Sequence, residues 1–367
     1  MRFPEFSGEW VETELQDIVP NICSGKDRIS NSGEVALYGS TGVIGRTNSA
    51  SYKENIVLVA RVGANAGQMQ IGNAPCGVTD NTLVIDAKEW NYYIYYFLQH
   101  YNLNRLVFGS GQPLITGGML KRIKVRYGCK AERNNITRLL CLIDERIATQ
   151  NKIIEKYESL IQAMCDTLIE SEQLKVELSF NDFGKPYSGL SGKSAEDFGN
   201  GWPYITYMNV YQNQIIDITD VGLVKINETE QQSVVRYGDI LFTLSSETPD
   251  EVGMGAVYLG DAYPLYLNSF CFGVRIIDES KIFPPFLAYY ISTKSFRKAV
   301  FPLAQGSTRF NLQKNDFMKK IFHFPTVKKQ SEIYSVLKAY SDKLSIEKNI
   351  VNLLCEQKSY LLRQLFI

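Results

Sequence analysis

The chain contains one large internal repeat, with a period of about 197 residues, and each copy ends in a long heptad-patterned segment. In the first copy the seam runs Ile143, Ile147, Gln150, Ile154, Tyr157, Ile161, Met164, Leu168. In the second it runs Tyr340, Leu344, Glu347, Val351, Leu354, Lys358, Leu361, Leu365, each position 197 beyond its counterpart. Alternating steps of four and three place these side chains on one stripe of an α-helix, and a long stripe of this kind calls for a second helix packed lengthwise against it. The repeat therefore predicts two globular heads joined by two rods. Gln150 and Glu347 interrupt the two seams at equivalent points. If the rods are antiparallel and related by a two-fold axis, these two residues meet, and a buried polar pair of this sort fixes register.

The boundaries follow from the repeat. Residues 1–130 form the first head, 131–175 the first rod, 176–326 the second head and 327–367 the second rod. Short apolar runs, Ile56 to Val59 and Thr82 to Ile85, read as strands between Gly/Asn turns. Tyr92 to Tyr101 reads as a helix, and PFLAYYISTKSF as its counterpart. The stretch from Phe180 to Gly201 is rich in Gly, Ser, Lys and Pro and reads as a loop leading into the second head. The fold class expected is two mixed α/β heads separated by a long antiparallel two-helix spacer, with internal pseudo-two-fold symmetry.

Several function classes are disfavoured. Seven scattered cysteines without a CxxC argue against a disulfide framework or zinc site and suggest a reducing cytoplasm. Two histidines, His100 and His323, are too few for a histidine-based metal centre or triad. No run reaches the length of a membrane span, and the opening residues lack a signal-peptide layout. There is no phosphate-binding GxxxxGK[ST], and Gly39, Gly42 and Gly45 read as turns. A nuclease remains as an alternative, because Pro249-Asp250 and Glu279-Ser280-Lys281 spell the parts of a PD…ExK site in which carboxylates hold Mg²⁺. A coiled-coil adaptor that binds no DNA is another; it explains the rods but not two divergent heads.

The formal net charge is zero, yet basic residues cluster where each head meets its rod. Lys121, Arg122, Lys124, Arg126 and Lys130 do so in the first copy, and Lys319, Lys320, His323, Lys328 and Lys329 in the second. Such clusters suit phosphates. Polar residues on the adjoining Gly-rich joints suit base edges. The candidates are Ser110, Gln112 and Thr116 in the first head and Gln305, Ser307, Thr308 and Arg309 in the second. Ser40, Thr41, Arg61, Tyr207 and Asn209 are further candidates.

In the opening FPEFSGEWVETELQDI, the joints GSGQPLITGGMLKRIKV and QGSTRFNLQKNDFMKKIFHFP, and the helices LLCLIDERIATQNKIIEKYESL and VLKAYSDKLSIEKNIVNLL, the chain resembles the specificity subunit of bacterial type I restriction–modification systems. The order and the duplication carry the likeness, which covers nearly the whole length. The joints differ in detail, with Ser110-Gly111-Gln112-Pro113 near where the other has Ser307-Thr308-Arg309-Phe310. The resemblance implies a non-catalytic subunit that reads an asymmetric, two-part DNA target. It implies docking of two methyltransferase subunits, and of motor-nuclease subunits, with S-adenosylmethionine, ATP and Mg²⁺ held by those partners. A specificity module of a related bipartite-site restriction–methylation system is the nearest alternative.

Overall fold

The computed structural model describes residues 2–19, 21–107, 113–172 and 175–366. They form two compact units, Met1–Lys152 with Lys348–Ile367, and Ile153–Glu347.

The first unit is built on strand Ile56–Ala60, whose five residues are all buried. Successive strand side chains point to opposite faces, and here both faces are covered. Val57 and Val59, with Leu83 and Ile85, pack against Tyr93, Ile94 and Phe97 of helix Asn91–Tyr101. Ile56, Leu58 and Val84 face the other way, onto Tyr38, Cys76 and Val78. The unit is therefore layered as helices, a four-stranded antiparallel sheet and a three-stranded sheet. The first sheet has the order Ile22–Ser24, Thr82–Ile85, Ile56–Ala60, Met69–Gly72. The second runs Gly42–Thr47, Val35–Gly39, Cys76–Val78, with the last pair parallel.

The second unit repeats this plan with almost no shared sequence. Its four-stranded antiparallel sheet runs Gly184–Ser188, Cys271–Ile276, Ile240–Thr243, Gly255–Val257. Its three-stranded sheet runs Val221–Val224, Phe198–Ile205, Tyr266–Leu267, again with one parallel pair. The alternation recurs too. Ile240, Phe242, Phe272 and Val274 enter the core beneath the helices, while Leu241 and Cys271 join Ile205 and Leu267 on the other side. In each unit an early strand, Val11–Glu14 or Lys175–Leu178, pairs antiparallel with the strand before a rod, Lys124–Tyr127 or Phe322–Pro325.

The loop expected from Phe180 to Gly201 is a correction. Phe180 and Phe183 are fully buried in an aromatic core, where Phe180 lies 4.9 Å from Phe317. Gly184–Ser188 is a sheet strand that tolerates Pro186 because it lies at the edge. PFLAYYISTKSF, read as one helix, is two, Pro284–Tyr290 and Lys294–Val300. The second is capped by Thr293, whose side chain accepts the Phe296 N–H at 3.3 Å.

The rods are helices Lys130–Glu170 and Val327–Leu365. Every seam position is buried or half-buried. Each unit holds the start of one rod and the end of the other, an antiparallel pairing. In the first, Lys358 reaches Asp144 at 2.7 Å, and Leu361 and Leu365 join the core of Ile136 and Leu140. In the second, Lys329 lies 3.6 Å from Glu172, and Ile161, Cys165 and Ile169 share a core with Ile333 and Leu337.

Candidate nucleic-acid interface

In the second head, strands Ala304–Gln305 and Phe310–Leu312 form a hairpin, and Ser245–Ser246 adds a third strand. Leu312 is buried, which anchors the base and leaves the tip in solvent. Gln305, Ser307, Thr308 and Arg309 are all exposed at that tip. The Arg309 guanidinium lies 6.0 Å from the ring centroid of Phe270, an exposed aromatic on a neighbouring turn. Helix Lys314–Lys319 follows and leaves Lys319 and Lys320 exposed. The strand after it buries Phe322 and Phe324 and turns His323 outward, 3.2 Å from Glu177. This head therefore offers one polar, cation-bearing tip carried on a firmly packed base.

Tyr207 braces this arrangement. Its hydroxyl donates to the Ser245 carbonyl at 2.7 Å, and burial raises its pKa. Asn209 corrects the sequence reading. It is fully buried, and its amide donates to the Asp217 and Asp220 carbonyls at 2.7 and 2.5 Å while its oxygen accepts the Asp217 N–H at 3.1 Å. It clamps a loop and has no path to a base.

In the first head, Ser40 and Thr41 occupy the turn between strands Val35–Gly39 and Gly42–Thr47. The Ser40 hydroxyl and the Arg61 backbone N–H both donate to the Asn81 carbonyl, at 3.1 and 3.0 Å. The Arg61 guanidinium is half-buried, 3.3 Å from Ser24 Oγ. Thr116 caps helix Gly117–Lys121 by accepting the Met119 N–H at 3.3 Å. Lys121 is half-buried and Arg122 exposed. Ser110 and Gln112 lie outside the described residues.

Of the nuclease elements read from sequence, the Asp250 backbone and Lys281 are held in other contacts. The Asp250 carbonyl accepts from Arg297 at 2.6 Å, and Arg297 also holds the Val252 and Gly253 carbonyls, each at 2.7 Å. Lys281 is tied to Asp278 at 3.2 Å and to the Asp182 carbonyl at 2.9 Å. Among the described residues no group of three or more His, Cys, Asp or Glu is placed to hold a metal ion. No described helix is long and apolar enough to cross a membrane.

Of the spacer residues, Ile143, Gln150 and Glu347 are buried, and Ile147, Ile154, Leu344, Val351 and Leu354 half-buried. Glu347 takes an ion pair from Lys343 at 2.6 Å. Phe270, exposed beside Arg309, is absent from the residues the sequence suggests; a polar turn directly before a buried strand is the signal for it.

A family model described as "Type I restriction modification DNA specificity domain" matches residues 7–159 and again 188–355. Among solved structures, the fold is similar to the S subunit of a type I restriction–modification system from M. genitalium. The identity is 16%, the match covers 100% of this chain and 99% of that one, and the TM-score is 0.62. It is also similar to a chain from structural work on complex assembly and conformational transition of the type I R-M system. There the identity is 14%, the coverage 99% and 98%, and the TM-score 0.58. At such identities the likeness is one of fold. No curated relative matches in sequence. Two successive matches to one family model span most of the chain and fall on two heads of the same topology, so the chain belongs to the type I restriction–modification DNA specificity family.

Proposed function

We propose that this chain is the sequence-reading subunit of a type I restriction–modification enzyme, with each head reading one half of an asymmetric DNA target across an unread spacer. The observation that carries this reading is the repeated strand order of two heads whose surface loops have diverged. One scaffold used twice with different loops suits two different half-sites, because base readout depends on a few side chains and the scaffold only positions them.

On this reading the exposed joint residues Gln305, Ser307, Thr308 and Arg309 contact bases, and Lys319, Lys320 and Arg122 contact phosphates. Zero net charge places the electrostatic attraction in those patches rather than in a mean field. The rods set the half-site separation. The seam from Ile143 to Leu168 is roughly 39 Å at helical rise, near the ~34–36 Å of one DNA turn. The outer surfaces of rods and heads dock two methyltransferase subunits, and a motor-nuclease subunit joins them. The chain itself neither methylates nor cuts; S-adenosylmethionine, ATP and Mg²⁺ belong to those partners, and the work is cytoplasmic.

Mapping methylated adenines in a host that carries the chain with its methylating partners tests this. A single two-part motif with a fixed unread gap is expected. A contiguous motif, or methylation unchanged when the chain is deleted, overturns the reading.

A further inference from the structure

The shared topology brings one more feature to the same place in both heads. In each, the chain leaves the first strand of the four-stranded sheet and passes directly over the turn that precedes the neighbouring strand. In the first head the Gly25 N–H donates to the Thr82 carbonyl at 3.0 Å and the Asp27 N–H to the Val78 carbonyl at 2.9 Å. In the second the Gly189 N–H donates to the Cys271 carbonyl at 3.3 Å and the Leu190 N–H to the Leu267 carbonyl at 2.7 Å. Glycine is required at both crossings. A Cβ on Gly25 would run into the Val78 carbonyl oxygen, and one on Gly189 into that of Asn268. Each crossing leaves a concave pocket, of about 520 Å³ in the first head and about 410 Å³ in the second.

The two pockets share a backbone and differ in chemistry. The first is lined by Lys26, Asp27, Arg28, Thr79 and Asp80. Asp27 is already engaged, accepting the Val78 N–H at 2.8 Å and the Ser51 hydroxyl at 2.6 Å. That leaves the Asp80 carboxylate at the opening, with Lys26 and Arg28, all three exposed. The second is lined by Ser194, Phe198, Tyr204, Asn268 and Phe270. Phe270 is 57% exposed on a turn made rigid by its own N–H, which donates to Asn268 Oδ1 at 2.8 Å. Its carbonyl accepts the Leu244 N–H at 2.8 Å. Phe270 is thus an exposed aromatic that is firmly held, rimmed by polar groups and beside Arg309.

We infer that these pockets are equivalent base-contacting sites, and that their different linings set the two halves of the target. This rests on the reading that the chain binds DNA, and it names where specificity lies. Asp80 accepts from an exocyclic amino group, the contact carboxylates make with cytosine in the major groove. Phe270 offers its face to a thymine methyl group, while Arg309 beside it donates to a base edge or a phosphate. The two heads therefore prefer different bases at corresponding positions of their half-sites.

The test is selection of bound duplexes from a library randomised over more than two helical turns, with the full chain purified together with the subunits it carries. Wild type is compared with Asp80→Asn and Phe270→Ala. Both residues are exposed, so equal melting temperatures are expected and are checked. Each variant is expected to lose base preference at one position of one half-site, by about tenfold. The other half-site and the affinity for random duplex should stay as in wild type. Variants that select the wild-type motif, or that weaken all sequences equally, overturn the pocket assignment and leave DNA reading intact. A wild-type chain that selects no motif overturns both.

Discussion

Phe366 gives the sharpest stability prediction. It lies 266 residues or more along the chain from the three rings it packs against in the first head. Its ring sits 5.3 Å from Tyr93, 5.8 Å from Phe97 and 5.7 Å from His100, and it is only 3% exposed. Replacing a buried Phe by Ala costs about 3–5 kcal/mol in transfer and cavity terms. That is a large part of the ~5–15 kcal/mol that holds a typical domain together. For a unit of this size the loss corresponds to a fall in Tm of about 6–20 °C. Tryptophan fluorescence separates the units, because Trp10 and Trp90 lie in the first and Trp202 in the second. In a Trp202→Phe background, urea unfolding of Phe366→Ala should show the full loss. Tyr360→Ala, 47% exposed on the helix that leads to Phe366, should stay within about 0.5 kcal/mol of its parent. A Phe366→Ala transition indistinguishable from that control would refute the claim that the second rod seals the first head.

Other outcomes follow from the same contacts. Burial lowers the His100 pKa below its ordinary 6.5, so the unfolded chain takes up a proton first as pH falls. Stability from His100 is therefore full above about pH 6.5 and lost below it, and His100→Gln should flatten that part of a stability–pH curve measured by urea unfolding. Asp239 is buried under Arg275 (2.7 Å), the Tyr187 hydroxyl (2.7 Å) and the Arg236 N–H (2.9 Å). Asp239→Ala strands these donors and should cost about 3–5 kcal/mol, with Asp239→Asn costing less, read as calorimetric shifts of the second unit. Lys319→Ala and Lys320→Ala should each weaken binding to all duplexes alike and reduce the salt slope by about one, as measured by titration at several ionic strengths.

Much of this was legible because it is periodic. The seam from Ile143 to Leu168 and its copy fixed both rods, since a four–three spacing has one structural meaning. Ile56 to Val59 and Thr82 to Ile85 are readable as strands because they are rich in β-branched residues, bounded by turns and too short for a helix. The stretch from Phe180 to Gly201 has the composition of a loop, yet Phe180 and Phe183 are core residues. An edge strand accepts Pro and Gly that a central strand would not, and only pairing with Cys271–Ile276 reveals that edge. Asn209 misled for a different reason. A polar side chain that satisfies loop carbonyls and one that reads a base have the same identity, and only burial separates them. The pockets beside Gly25 and Gly189 were invisible for want of any sequence likeness between their linings. They emerge only when the strand orders of the two heads are compared.

Head exchange tests the central claim most directly. Residues 1–130 would be replaced by the corresponding head of another member of the family, and methylated adenines mapped in a host with the same partners. The expected result is a target with one half changed, the other half intact and the spacer length retained. A target in which both halves change together, or neither does, would contradict independent reading by two heads.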